Sequence, residues 1–149
     1  MATENQYCTF SLDDTYFGID VAQVQEVMHH QAMTRVQPAP PEVKGIINLR
    51  GQLVTAVDLR HRLGLSERPA DRPPMNVVLR GNVGEGLVSL LVDEIGDVLT
   101  LSDDLFEPPP ETLRGEAREL IKGAYKLKQR LLLILDTEKA LKTSLAEAA

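Results

Sequence analysis

The chain has 149 residues, a formal net charge of −6, and 43% hydrophobic against 26% charged residues, the balance of one globular domain or two closely fused subdomains. The acidity, the absence of Trp and an aromatic content of 4% argue against generic nucleic-acid binding, which needs clustered Lys and Arg or stacking platforms. No apolar run approaches the roughly 18 residues of a membrane span, and the opening MATENQY lacks the regions of a signal peptide.

Residues 7–12 read as a strand, Asp13-Asp14 as a turn and residues 15–20 as a second strand. Asp20 is placed to cap residues 21–28, where Val21, Val24, Val27 and Met28 fall at i, i+3, i+6 and i+7. That spacing predicts an apolar stripe on a helix of two turns. Residues 37–41 (QPAPP) are irregular, because proline donates no backbone hydrogen bond and restrains its predecessor.

Residues 44–59, KGIINLRGQLVTAVDL, are the centre of the chain. Two apolar runs around Gly51 predict a hairpin buried on most of both faces, with Gly51 free to take φ > 0 at the turn. Asn48, Arg50 and Asp58 are its polar exceptions. Residues 59–65 follow as one or two helical turns ended by Gly64, and residues 66–74 as a flexible, proline-bearing surface loop. Strands are expected at 75–80, 87–93 and 97–101, with a glycine-rich turn at 81–86 and a loop over 102–118 that holds Pro108-Pro109-Pro110. Residues 124–127 and 131–135 form a late hairpin, and Asp136 caps a helix from 137 to about 146. Short strands, frequent turns and little helix point to a barrel-like, mainly β architecture.

The two halves echo each other. Shifted by 71 positions, Ile19 falls on Leu90, Val21 on Val92, Val24 on Ile95, Glu26 on Asp97 and Val27 on Val98. Shifted by 78, Lys44-Gly45 falls on Lys122-Gly123, Leu49 on Leu127, Leu53 on Leu131 and Asp58 on Asp136. Any two β-rich stretches align by alternation, but matched turns, a Lys-Gly pair and a strand-ending Asp, all in order, are harder to obtain by chance. The echo predicts two similar barrel-like subdomains with a groove between them, without saying which strands complete which barrel.

The residue types that carry chemistry form no constellation. His29, His30 and His61 have no carboxylate or cysteine at a recognised ligand spacing, so no metal is expected. Cys8, the single cysteine, lies in a strand with no motif around it and reads as a small buried hydrophobe; it cannot form an intrachain disulfide, in keeping with a reducing cytoplasm. Asp13 and Asp14 read as solvated turn formers instead of a catalytic pair. There is no G-x-S-x-G, phosphate loop or Cys-x-x-Cys, so neither a cofactor nor catalysis is expected. The remaining partner class is protein.

Tyr16 to Val21 (YFGIDV), Val24 to Val27 (VQEV), Lys44 to Gly51 (KGIINLRG) and Val57 to Arg60 (VDLR) resemble the CheW coupling proteins of bacterial chemosensory arrays. So do Leu91-Val92-Asp93, Val98-Leu99 and the stretch from Lys122-Gly123 to Leu135-Asp136, whereas Ala56 stands where the family often has proline. The resemblance spans residues 7–141 as one domain, with 142–149 as a tail, and implies two five-stranded barrels, with strand exchange between the halves open to them. It also implies a non-enzymatic, cytoplasmic adaptor, recruited to membrane-bound receptor arrays, that links chemoreceptor tips to a CheA-type histidine kinase.

Carried over residue by residue, the resemblance implies a receptor-facing surface of Val24, Glu26, Val27, Met28, Asn48, Arg50, Ile95 and Val98. Within it Arg50 is expected to pair with Glu26, against the plainer reading of a free surface arginine. Asn48 and Asp58 also suit turn and strand-end backbone groups. The kinase-docking surface is left open. A chemosensory pathway controlling pili or development is the alternative within the class, and a small enzyme or a nucleic-acid-binding barrel the alternative outside it.

Overall fold

A computed structural model describes residues 3–35, 40–80 and 86–141. Expectations for the proline-rich segment at 37–39, most of the turn at 81–86, and residues 142–149 lie outside the described residues. Ten strands are defined there: β1 (Glu4–Leu12), β2 (Thr15–Asp20), β3 (Val24–Met28), β4 (Val43–Leu49), β5 (Gln52–Asp58), β6 (Met75–Leu79), β7 (Leu87–Val92), β8 (Glu94–Ser102), β9 (Ile121–Lys126) and β10 (Leu131–Leu135). Short helices α1 (Leu59–Arg62), α2 (Gly115–Leu120) and α3 (Thr137–Leu141) follow β5, precede β9 and follow β10.

The strands form two five-stranded sheets, ordered β8-β1-β2-β10-β9 and β3-β6-β7-β5-β4. Under the sequence echo β1 to β5 correspond to β6 to β10, and the two orders are then the same. Each sheet takes its first hairpin from one half of the chain and its other three strands from the other half. Parallel pairs at the same place in each sheet, β2 with β10 and β7 with β5, join the two contributions.

The chain beyond an edge strand closes each sheet. After β3, Thr34 exchanges backbone hydrogen bonds of 2.9 and 2.8 Å with Ile46 of β4, the opposite edge. After β8, Glu107 exchanges bonds of 2.8 and 2.9 Å with Ala124 of β9. Both sheets are therefore barrels, and closure removes the free edges that would invite unwanted strand pairing.

This closure accounts for the repeated Lys-Gly pair. A Cβ on Gly45 would sit 2.8 Å from the Thr34 carbonyl oxygen, and one on Gly123 would overlap the Phe106 ring. The ladder skips one residue next to each glycine, so that Lys44 and Lys122 are the bulged residues. The matched aspartates also act alike: Asp58 Oδ1 accepts from the Arg60 amide at 3.1 Å, and Asp136 Oδ1 from the Lys139 amide at 3.2 Å.

Strands such as β10 are apolar on both faces because both faces are covered. Leu132 and Ile134 pack with Tyr7 and Tyr125 inside the first barrel, while Leu133 and Leu135 join a core shared between the barrels. That core includes Phe10, Leu12, Phe17 and Ile19 from one sheet and Val57, Val77, Leu90 and Val92 from the other. A smaller cluster of Ile47, Leu49, Val54, Ala56, Val78 and Leu91 fills the second barrel.

The helix expected over residues 21–28 is not formed. Asp20 caps a single 3-10 turn, Val21–Gln23, accepting from the Ala22 amide at 2.9 Å, and the chain then runs as β3. A bulge explains the misleading spacing: Val24 pairs with Leu79 and Glu26 with Val78, leaving Gln25 as the extra residue. Val24 and Val27 thereby share a strand face although three positions apart, which mimics a helical stripe. In β8, Ile95 lies opposite Phe10 and Val98 opposite Cys8, the same irregularity. The expected loop over 102–118 likewise contains structure, a 3-10 turn at Asp103–Leu105 and the start of α2.

Candidate functional site

The central hairpin delivers Arg50 to the surface. Arg50 (φ 50°) and Gly51 (φ 89°) both have positive φ, the pattern of a two-residue type I′ turn whose twist matches its strands. Asn48 Oδ1 accepts from the Gly51 amide at 3.0 Å and fixes that turn. Closure of the second barrel brings β3 alongside, and Arg50 Nη2 donates to Glu26 Oε1. The expected pair is present, on an arginine side chain that remains 69% exposed.

The apolar members divide by depth. Val24 and Ile95 lie against the shared core, Val24 buried and Ile95 partly so. Val27 and Val98, on the same strand faces three residues further on, are 43% and 54% exposed. Met28 packs partly against the core of the second barrel, and Asn48 is exposed. Glu26, Asn48 and Arg50 thus gather at one corner of that barrel, with Val27 beside Glu26 on β3. Ile95 and Val98 belong to the other barrel.

Leu53 was not singled out from the sequence. It is 69% exposed, in register with Asn48, one strand position from the turn that bears Arg50. The legible signal was its place opposite a polar residue in an otherwise buried hairpin.

A second group of charges was also missed. Arg60, buried at 4% exposure, donates from Nε to Asp93 Oδ1 at 2.9 Å, from Nη2 to Asp93 Oδ2 at 2.6 Å, and from Nη1 to the Ser66 carbonyl at 2.9 Å. Its Nη2 also reaches Asp13 Oδ1, so Asp13, itself exposed, is the outer partner of this network as well as a turn former. Arg68 Nε donates to Asp93 Oδ1 at 3.0 Å and pins the loop at 66–74 to the barrel. Burial pushes the Asp93 carboxyl up, but hydrogen bonds from Arg60 and the Asp13 amide, with the charges of Arg68 and Arg60, outweigh it and hold the pKa at about 2. The bond to Asp93 raises the Arg60 pKa against the opposing effect of burial.

Elsewhere, burial and then the contact of its hydroxyl with that of Tyr125, 3.2 Å away, raise Tyr7. Burial also raises the Cys8 thiol, which gives it less thiolate than a free cysteine. Among the described residues no group of three or more His, Cys, Asp or Glu is placed to hold a metal ion, and no helix is long and apolar enough to cross a membrane.

A family model described as CheW-like domain matches residues 6–144. The chain belongs to the CheW-like family. Among its relatives, the chemotaxis protein CheW of Klebsiella aerogenes is 34% identical over 136 residues, 91% of this chain and 81% of that protein. The probable chemotaxis protein CheW of Rhizobium etli is 29% identical over 146 residues, 98% of this chain and 93% of that one. The crystal structure of the scaffolding protein TtCheW from Thermoanaerobacter tengcongensis superposes with a TM-score of 0.79 at 25% identity, covering 90% of each chain. The CheW-like fold thus accounts for both barrels of this chain.

Proposed function

We propose that this CheW-like chain is a non-enzymatic adaptor that couples the cytoplasmic tips of chemoreceptors to a CheA-type histidine kinase. In this reading it acts in the cytoplasm and is recruited to membrane-bound receptor arrays. Membership of a family whose relatives are chemotaxis and scaffolding proteins supports it. The observation that carries it to particular residues is the Arg50–Glu26 ion pair, with exposed Val27 next to Glu26 along β3 and exposed Leu53 next to the turn that bears Arg50.

A helical partner laid on that corner would meet exposed apolar side chains flanked by an ordered charge pair, the composition of a helix-in-groove contact. Asn48 holds the turn beneath, and Met28 and buried Val24 support the β3 wall. Ile95 and Val98 offer the equivalent wall on the other barrel. The work is differential binding, and no bond is made or broken.

Calorimetric titration with a chemoreceptor cytoplasmic fragment, and separately with the regulatory domain of a CheA-type kinase, tests the reading. Saturable binding to both is expected, with the receptor signal lost in Arg50→Glu while the kinase signal and the circular dichroism spectrum survive. Binding to neither partner would refute the adaptor, and unchanged receptor binding in Arg50→Glu would remove the proposed site.

A further inference from the structure

A cleft of about 900 Å³ opens beside the second barrel, between the loop at 66–74 and the chain that closes that barrel against β4. Five prolines stand in its walls, and Met33 and Leu91 add apolar surface. Proline has no backbone N–H, so side chains supply much of the hydrogen-bond donation. Those donors are strongly biased in sign. Arg35 and Lys44 line one wall and Arg68 and Arg72 the other, against two carboxylates, Asp58 and Glu67. The lining carries a surplus of two positive charges in a protein whose net charge is −6.

One of these donors is both buried and incompletely satisfied. The Arg68 side chain is 10% exposed and its Nε is held by Asp93, yet its buried Nη2 has no hydrogen-bond partner. The Asp58 carboxylate lies 3.8 Å from it, beyond hydrogen-bond reach, and is already the cap of Arg60. A buried guanidinium nitrogen without a hydrogen-bond acceptor is unfavourable, and the charge of Arg68 at the cleft wall is left incompletely compensated there.

We propose that this cleft docks an extended acidic peptide segment of a partner protein. Its size falls in the range of ligand-binding clefts, roughly 300–1,000 Å³. The cations come from both walls, which suits several carboxylates spaced along a chain and held in the manner of acidic-motif recognition by arginine clusters. Rigid proline walls and the apolar patch accommodate the side chains between the acids. The site lies apart from the Arg50 corner and does not depend on what binds there.

The test uses the full chain and fluorescence anisotropy of a fluorescein-labelled octaglutamate peptide, which the overall charge of the protein repels. Saturable binding is expected, weakened at least tenfold by Arg35→Glu combined with Arg72→Glu, both at exposed positions. Lys122→Glu combined with Lys126→Glu makes the same change in net charge outside the cleft and is expected to alter affinity less than twofold. Absence of saturable binding, or equal weakening by the two double variants, would overturn the proposal. Displacement of the peptide by inorganic pyrophosphate at matched charge would also overturn it, in favour of a small-anion site.

Discussion

Arg60 and Asp93 meet through two parallel hydrogen bonds, Nε to Oδ1 at 2.9 Å and Nη2 to Oδ2 at 2.6 Å, between a side chain that is 5% exposed and one that is 14% exposed. The pair joins helix α1, at the end of one barrel, to the link between β7 of that barrel and β8 of the other. Through Asp13 it also reaches the β1–β2 turn. Removing one member of a buried, hydrogen-bonded ion pair strands the other and costs about 3–5 kcal/mol. Urea denaturation of Arg60→Met is expected to show a loss of that size. Asp93→Asn should cost a similar amount, and the double variant much less than the sum, because both changes break one network.

The same pair sets an acid limit. Asp93 titrates at about 2 in the folded protein and near 3.9 in an unfolded chain. Protons therefore bind the unfolded state first. The stability contributed by the carboxylate is fully present above about pH 4 and is lost as pH falls through about 2, a change of roughly 2–3 kcal/mol. Denaturation midpoints measured between pH 5 and pH 2 should fall steeply in the wild type. The slope should be shallower in Asp93→Asn, which lacks the titrating group.

Arg50 occupies a left-handed backbone position that favours Gly or Asn over a long side chain. Arg50→Asn would create Asn-Gly, the preferred pair for such a turn. Its exposed ion pair with Glu26 contributes about 0–1 kcal/mol. Thermal unfolding is expected to show Arg50→Asn equal to or more stable than the wild type by up to about 1 kcal/mol, while calorimetry shows loss of the receptor fragment. A stabilising change that removes binding would mark Arg50 as held there for its contacts and not for the fold.

The two closure glycines should respond differently to a methyl group. At Gly45 the obstacle is the backbone carbonyl of Thr34, which is itself hydrogen-bonded to Ile46 and has nowhere to move. Gly45→Ala is expected to cost about 1–3 kcal/mol. At Gly123 the obstacle is the far edge of the Phe106 ring, on a residue that is 38% exposed. That ring can swing outward, so Gly123→Ala should cost less and should raise the proteolytic sensitivity of the 102–114 segment. Parallel urea melts of the two variants check the order.

The fold was legible wherever one residue type had a local reason to be where it is. Gly51 announced the central turn, Asp58 and Asp136 announced strand ends, and the repeated Lys-Gly pair announced the duplication. The period of three in Val24 and Val27 misled because a bulge in a strand and one turn of helix place apolar residues alike. Strand pairing was illegible for a different reason. Matching β1–β5 to β6–β10 establishes likeness but carries no sign of which hairpin enters which barrel. The network around Arg60 draws Asp13, Asp58, Arg68 and Asp93 from four separate places in the chain, and no local pattern could have announced it. The Arg50–Glu26 pair was accessible only through family resemblance, since the two residues lie 24 positions apart with a whole strand between them.

The interlocked barrels impose an order on the birth of the molecule. Every strand of the barrel that carries Glu26 and Arg50 lies between residues 24 and 92, so that barrel can assemble while the rest of the chain is still being synthesised. The other barrel needs both ends: Phe17 must wait for Leu133 before its parallel pair can form. Such distant pairing is slow because loop closure precedes any stabilising contact. Until the last strands arrive, the β1–β2 hairpin has an open flank, and that is the interval in which a growing chain is most exposed to mispairing with a neighbour.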